Sequence, residues 1–295
     1  MYICIQKIQK NLLILKKMKK KIKIAMTGSR GTLGKRFRRI YKNYIFKLIT
    51  FDITNKSKLQ KWIKKNNFDI FIHFAAIVPT HQVEANKIRA LKVNYYGTKY
   101  IVDSLQNKQA KFFFFYASTS HVYNFSKNKL KENSKINPIN YYAITKLKSE
   151  KYIQKNMKKT PHAIGRIFSF SDTNQSDLYF IPSVFKKLKE KKNLYSFYNL
   201  NKKRDFISTK DIVAAINFIC TKKKEGIFNI GSSKGYLLKD IVKLINKMFF
   251  NRKKITFNDT KNNEDLISNN TKIIKIGWKP RDNIRSILKS YYEKK

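Results

Sequence analysis

A doubly wound parallel α/β sheet with a smaller, mixed α/β lobe toward the C-terminus is the fold class this sequence predicts. Three observations carry the prediction. Short apolar runs alternate with helical stretches up to about residue 170, and a glycine-rich turn follows directly on the first apolar run. The run Phe112–Ala117 is apolar at nearly every position, as a central strand covered on both faces must be. The chain has 295 residues, 42% of them hydrophobic and 14% aromatic, enough for one large domain or for a domain with a smaller lobe.

In order, Ile22–Met26 is the first strand, ending in Thr27-Gly28. A helix is expected over Leu33–Tyr41, a second strand over Phe46–Phe51 closed by Asp52, and an amphipathic helix over Ser57–Lys65 capped by Ser57. Asp69–Ala76 reads as a buried strand, Val83–Leu105 as one long helix, Tyr141–Asn156 as a further helix and Ala163–Phe168 as a strand. Beyond about residue 170 the rhythm loosens, and Ile181–Leu188, Thr209–Cys220, Ile227–Ile230 and Leu238–Phe249 suggest the smaller lobe. The expected organisation is a dispensable extension over 1–17, a first domain over 18–170 and a partly interleaved lobe over 171–295.

The formal net charge is +47. A nucleic-acid binder would gather that charge on one face or in one block. Here the lysines are spread along the whole chain at solvent-facing helical spacings, amid abundant Asn, Ile, Phe and Tyr, as an AT-rich coding bias gives. No nucleic-acid partner is expected, although a positive field favours anionic small molecules. Cys4 and Cys220 are too few and too far apart for a disulfide framework and fit a reducing cytoplasm. The apolar run Leu12–Leu15 is too short for a secretory core or a membrane span, so a cytoplasmic location is expected. His81 and His162 have no ligand partners at metal-binding spacing, which predicts no metal site, and Trp62 and Trp278 read as packing residues.

The turn Gly28-Ser29-Arg30-Gly31-Thr32-Leu33-Gly34 joins the first strand to the first helix. Glycines at this spacing permit a tight bend, close approach of backbone to a pyrophosphate and close helix–sheet packing, and the helix N-terminus offers free N–H groups. The context is that of a Rossmann-like dinucleotide site, so NAD or NADP is the expected cofactor. Arg30 within the turn suits a 2′-phosphate and leans toward NADP. Asp52 suits the adenosine ribose of NAD.

Tyr142 and Lys146 stand at i and i+4, on one face of the Tyr141–Asn156 helix. An ammonium beside a phenol is expected to lower its pKa and make Tyr142 a proton exchanger near neutrality. Ser118-Thr119-Ser120-His121 follows the central strand, at the end where open α/β sheets bind ligands.

These segments together resemble the extended short-chain dehydrogenase/reductases of the NAD-dependent epimerase/dehydratase family, over nearly the whole chain. The glycine spacing is similar to theirs. Their strand-end motif is matched by His73-Phe74-Ala75-Ala76, their long-helix motif by Val93-Asn94-Tyr95-Tyr96-Gly97-Thr98, and late motifs by Arg204-Asp205-Phe206, Asn229-Ile230-Gly231 and Gly277-Trp278-Lys279-Pro280. The resemblance implies a nucleotide-sugar substrate, a homodimer through helices 83–105 and 141–156, and roles for single residues. Thr119 bonds the reacting oxygen, Tyr142 exchanges the proton and Lys146 supports both the phenol and the nicotinamide ribose. Gly28, Gly31, Thr32, Leu33, Gly34, Asp52, Ile53, Phe74, Ala75, Ala76 and Asn94 hold the cofactor. Ser118, Ser169 and Arg204 face the substrate, with Ser169 standing where many relatives have asparagine. A similar arginine to Arg30 occurs in some reductases of the family. Set against this family resemblance, the short distance from Gly34 to Asp52 implies that one strand–helix step is missing.

Dehydratases of the family carry an Asp–Glu pair where this chain has Ser120 and His121, which argues against 4,6-dehydration. Reduction of a 4-keto sugar nucleotide and 4-epimerisation both remain. His121 is a candidate second acid/base, since some members hold a reactive cysteine there. A cofactor-binding sensor or scaffold without catalysis is the alternative of a different class.

Overall fold

The computed structural model describes residues 21–259 and 264–291; the expected extension over 1–17 and Cys4 lie outside them. The first sheet is six-stranded and parallel, with the order β2-β1-β3-β4-β5-β9. Its strands are β1 (Lys23–Thr27), β2 (Ile45–Ile49), β3 (Ile70–His73), β4 (Phe113–Thr119), β5 (His162–Ile167) and β9 (Gly226–Ile230). Between them lie α1 (Thr32–Ile40), α2 (Lys56–Lys65), α3 (Thr80–Ala85), α4 (Lys87–Leu91), α5 (Gly97–Gln106), α6 (Tyr141–Asn156), α7 (Phe180–Lys189) and α8 (Thr209–Thr221).

β4 explains why the central run is apolar throughout. All seven residues are buried, and alternate side chains enter opposite layers. Phe113, Phe115 and Ala117 join the core under α8, with Phe37, Ile212 and Ile216, while Phe114 and Tyr116 join the core under α2 and α5, with Leu59, Ile101 and Leu105.

In chain order only β2 lies between β1 and β3, and among the described residues no strand pairs with the outer edge of β2. The order 2-1-3-4-5 puts the topological switch between β1 and β3, and a ligand crevice is expected at their carboxyl ends.

The long helix expected over Val83–Leu105 is broken. It begins as α3, restarts at Asn86, whose side chain caps α4, and passes through a π-helical turn at Lys92–Tyr96 before α5. Asn55, two residues ahead of the expected Ser57, caps α2 through the Lys58 N–H.

After β5 the chain builds two small sheets. One is β10-β8-β6, from β6 (Ser169–Ser171), β8 (Lys203–Ser208) and β10 (Gly235–Leu237); the other pairs β7 (Tyr195–Tyr198) with β11 (Ile255–Asn258). Residues 209–230 do not stay in that lobe. α8 lays Ile212, Ile216 and Ile219 on the first sheet, and β9 pairs with β5, because a helix apolar on that stripe has its largest burial there. Trp278 also packs into this core.

Candidate active site

A cavity of about 880 Å³ opens over the carboxyl ends of β1, β3 and β4 and is roofed by residues 167–181, Arg204 and Phe206. Its floor at one end is the glycine turn. Gly28 has φ +66°, and a Cβ there would lie 2.5 Å from the Ala75 nitrogen; a Cβ on Gly34 would lie 2.5 Å from the Gly28 carbonyl oxygen. Both are therefore demanded by the bend and by helix packing. Gly31 differs. Its φ is −73°, and a Cβ would meet only the Gly28 oxygen, at an ordinary 3.4 Å. Neither backbone nor packing asks for glycine at this cavity-lining position, so the open space above it is what a side chain would fill. Thr32, Leu33 and Gly34 follow on the same wall, in the first helical turn, whose N–H groups have no intrahelical acceptor. A dinucleotide pyrophosphate fits this cradle.

The strand-end segment is fixed by a directional hydrogen-bond chain. Thr98 donates to the Asn94 carbonyl at 2.7 Å, so His73 Nε2–H must donate to Thr98 Oγ1 at 2.9 Å. His73 Nδ1 then accepts from Thr27 Oγ1 at 2.6 Å, and Thr27 Oγ1 accepts from the Ala75 N–H at 3.2 Å. Burial, then the charge of Lys146, holds the His73 pKa far below the ordinary range, consistent with a structural, neutral ring. Asn94 does not line the cavity, as expected of a cofactor contact. It accepts from the Ile77 N–H at 2.8 Å, donates to the Ile77 carbonyl at 3.0 Å and meets Thr145 Oγ1 at 3.1 Å. The π-turn directs its amide inward, where it holds the Phe74–Val78 wall in place.

Phe51, Asp52 and Ile53 close one end of the cavity. Asp52 does not close β2, which stops at Ile49 opposite Thr27, the last residue of its partner β1; it opens the turn into α2. Its carboxylate accepts from the Thr54 N–H at 2.9 Å and pairs with Arg89 at 2.5 Å, and these partners outweigh its desolvation and lower its pKa. Arg30 is exposed and lies outside the cavity wall.

At the other end stand Thr119, His121, Tyr142 and Lys146, all on the cavity wall. β4 delivers Thr119 at its last position, where Oγ1 accepts from the His121 N–H at 3.2 Å and keeps its own proton free to donate. α6 delivers Tyr142 and Lys146 one turn apart, and its cap Asn140 fixes that helix start by accepting from the Ala143 N–H at 2.8 Å. The expected lowering of the Tyr142 pKa is not found. Burial, reinforced by the Tyr179 phenol, raises it far above the ordinary range. Burial also lowers Lys146 to about 7, against an opposing pull from Glu150. Burial is the first cause of both shifts, and Lys146 is not among the groups that act on the Tyr142 phenol.

His121 is likewise corrected. Asn140 Oδ1 is held by the helix, so its amide nitrogen faces His121 Nδ1 at 3.2 Å and donates to it, which leaves the imidazole proton on Nε2. Burial, then the Arg204 charge, lowers its pKa to about 4. Near neutral pH the ring is a hydrogen-bond donor and a weak base, not a group poised at neutrality.

Ser118 borders the cavity, but its hydroxyl donates to the buried Glu150 carboxylate. Arg166 grips that carboxylate, with Nη2 2.7 Å from Oε2. Ser169 and Arg204 lie on the roof side, where Arg204 also donates to the Lys203 carbonyl at 3.0 Å. Four participants were missed: Tyr116, Asn140, Glu150 and Tyr179. Asn140 had a signal, an asparagine before a helix; Tyr179 sits in a turn-rich stretch with no periodicity to place it.

Among the described residues Asp52 is the one carboxylate on the cavity wall, no cluster of His, Cys, Asp and Glu is suited to a metal, and no helix is long and apolar enough to cross a membrane.

The model of the NAD dependent epimerase/dehydratase family matches residues 13–231. The chain is 26% identical over 250 residues to the GDP-6-deoxy-D-talose 4-dehydrogenase of Aggregatibacter actinomycetemcomitans, covering 81% of this chain and 84% of that protein. It is 28% identical over 258 residues to the dTDP-D-glucose 4,6-dehydratase of Mus musculus, covering 80% of this chain and 70% of that protein. Among solved structures, RMD from Pseudomonas aeruginosa complexed with NADPH shares the fold with a TM-score of 0.83 at 18% identity, covering 92% of this chain and 98% of that one.

Proposed function

The chain belongs to the NAD-dependent epimerase/dehydratase family, and from that premise we propose that it is a cytoplasmic NAD(P)-dependent enzyme that reduces or epimerises a nucleotide-activated sugar at a 4-keto or 4-hydroxyl carbon. The observation that carries this reading is the convergence of the glycine turn, Thr119, Tyr142 and Lys146 on one cavity. The cofactor would supply or accept hydride. Thr32–Gly34 at the start of α1 would bind its pyrophosphate, Phe74–Ala76 would flank it, and Asp52 and Ile53 would meet its adenine end.

The chain's own groups supply the rest. Thr119 Oγ1 donates a hydrogen bond that orients the sugar oxygen. Tyr142, its phenol pushed up by burial, stays protonated and delivers its Oη proton to a carbonyl oxygen as that oxygen gains charge. That protonation state favours the reductive direction. His121 Nε2–H adds a second donor on the same wall and selects substrate orientation. Arg204 provides positive charge for the nucleotide diphosphate. With Ser120 and His121 after Thr119 and no carboxylate at this end of the cavity, no group is suited to withdraw a C5 proton, which sets the chain apart from the dehydratase it partly matches.

Arg30 stands in the turn but outside the cavity wall, and no acidic residue follows β2 until Asp52. Arg30 in the turn suits the 2′-phosphate of NADP and the Asp52 carboxylate on the cavity wall suits the adenosine ribose of NAD, so the proposed cofactor is NAD or NADP. Apolar side chains exposed on the helices expected to pair in a homodimer, Ile88 at 71%, Tyr96 at 40% and Ile144 at 38%, support that assembly. The test is a screen of NADPH and NADH oxidation against 4-keto sugar nucleotides with product stereochemistry determined. Net oxidation of the cofactor with one C4 configuration formed from the ketone selects reduction, and interconversion of supplied 4-hydroxyl epimers without net oxidation selects epimerisation. No turnover of any nucleotide sugar, with cofactor bound, would remove the proposal.

A further inference from the structure

Lys146 is buried to 2% exposure, yet among the described residues no carboxylate is in ion-pair contact with it. Its ammonium lies instead over the ring of Tyr116, with Nζ 4.0 Å from the centroid. Tyr116 is fully buried on β4, in the layer beneath α5 and α6, and its own hydroxyl faces the Ser149 and Thr98 hydroxyls and not Lys146.

We propose that Tyr116 is a positioning residue: its π face, in place of a carboxylate, holds the Lys146 ammonium at the cavity floor beneath Tyr142. The inference rests on the reading of Lys146 as part of the reacting pair. A cation over an aromatic face in a dry setting is held by the ring quadrupole without an anion that would itself need to be solvated. A carboxylate at this spot would neutralise Lys146 and repel the diphosphate of an incoming cofactor, whereas a ring does neither.

The other groups facing Lys146 are accounted for. His73 is neutral and fixed between Thr27 and Thr98. Tyr142 lies one turn back on α6 with a protonated phenol. Glu150, one turn ahead, is committed to Arg166 and Ser118, so it acts on Lys146 only at a distance. The face of Tyr116, 4.0 Å from Nζ, is the contact the geometry shows directly.

The experiment is competitive labelling of lysines with acetic anhydride across pH 5.5–9.5, read at the Lys146 peptide by mass spectrometry, on the full chain. Three proteins are compared: wild type, Tyr116→Phe, and a ring-fluorinated phenylalanine at position 116, which keeps the volume and withdraws the π charge. The Lys146 midpoint is expected to be unchanged in Tyr116→Phe and lowered by about one pH unit in the fluorinated protein. Equal midpoints in all three would overturn the inference. So would a shift in Tyr116→Phe as large as in the fluorinated protein, since the hydroxyl would then be responsible. Protection of Lys146 from label by saturating NADPH is scored separately. Its absence would remove the premise about Lys146 and leave the Tyr116 result standing as a fact about the lysine alone.

Discussion

At the residue scale, the groups around the cavity are governed by dehydration more than by their neighbours. His121 titrates at about 4 in the folded chain against an ordinary 6.5. Between those values the unfolded chain carries a proton that the folded chain does not, so His121 makes stability rise with pH across that window. His121→Gln is expected to flatten that part of the slope in urea unfolding followed from pH 4.5 to 7. An unchanged slope would show that the imidazole titrates near its ordinary value. Tyr142→Phe removes only the phenolic proton donor. It is expected to lower kcat by roughly 10²–10⁴-fold with NADPH affinity unchanged within about twofold, measured by steady-state kinetics and fluorescence titration. A variant keeping more than about a tenth of wild-type kcat would assign the proton to another group.

At the element scale, the start of α1 separates what the fold needs from what a ligand needs. Gly31→Ala adds a methyl that meets nothing closer than 3.4 Å. Its unfolding free energy should stay within about 0.5 kcal/mol of wild type while NADPH affinity falls at least about tenfold. Gly34→Ala pushes a methyl to 2.5 Å from the Gly28 carbonyl and should cost about 1–3 kcal/mol of stability whether or not cofactor is present. Thermal unfolding with and without NADPH distinguishes the two; equal losses of stability would remove the argument that Gly31 is kept open for a ligand. The break between α3 and α5 belongs to the same scale. Apolar periodicity over Val83–Leu105 reads as a single helix, because it does not register a π-turn that advances the chain by one residue and turns Asn94 toward Ile77.

At the scale of the whole molecule, one buried carboxylate joins the cofactor helix to the later chain. Asp172 accepts from Arg36 on α1 at 2.6 Å and from Thr209 at the start of α8 at 2.6 Å, while the Tyr291 hydroxyl donates to its carbonyl at 3.0 Å. Although desolvation pulls the other way, these donors hold the Asp172 carboxyl below the usual aspartate range. Its contribution is therefore complete above that range and is lost only as pH falls beneath it. Asp172→Ala should cost about 3 kcal/mol or more, since it strands Arg36 partly buried, and should weaken NADPH binding through α1. Chemical unfolding at pH 7 checks the first effect; a loss under about 1 kcal/mol would show that the lobes are held by apolar contact alone.

Local pattern and residue chemistry were enough to read the parallel sheet, the glycine turn, the hydroxyl-bearing strand end and the Tyr142–Lys146 face, because each depends on spacing within a short stretch of chain. Set against the family resemblance, the lack of a strand beyond β2 among the described residues was also legible, as too few residues between Gly34 and Asp52. Protonation was not. The neutral His121, the raised phenol of Tyr142 and the ring beneath Lys146 depend on which distant side chains exclude water from one wall, and that is settled only when β4, α6 and the 167–181 segment close on each other. The return of 209–230 to the first sheet is of the same kind, since an apolar stripe on a helix states that it will be buried but not against which surface.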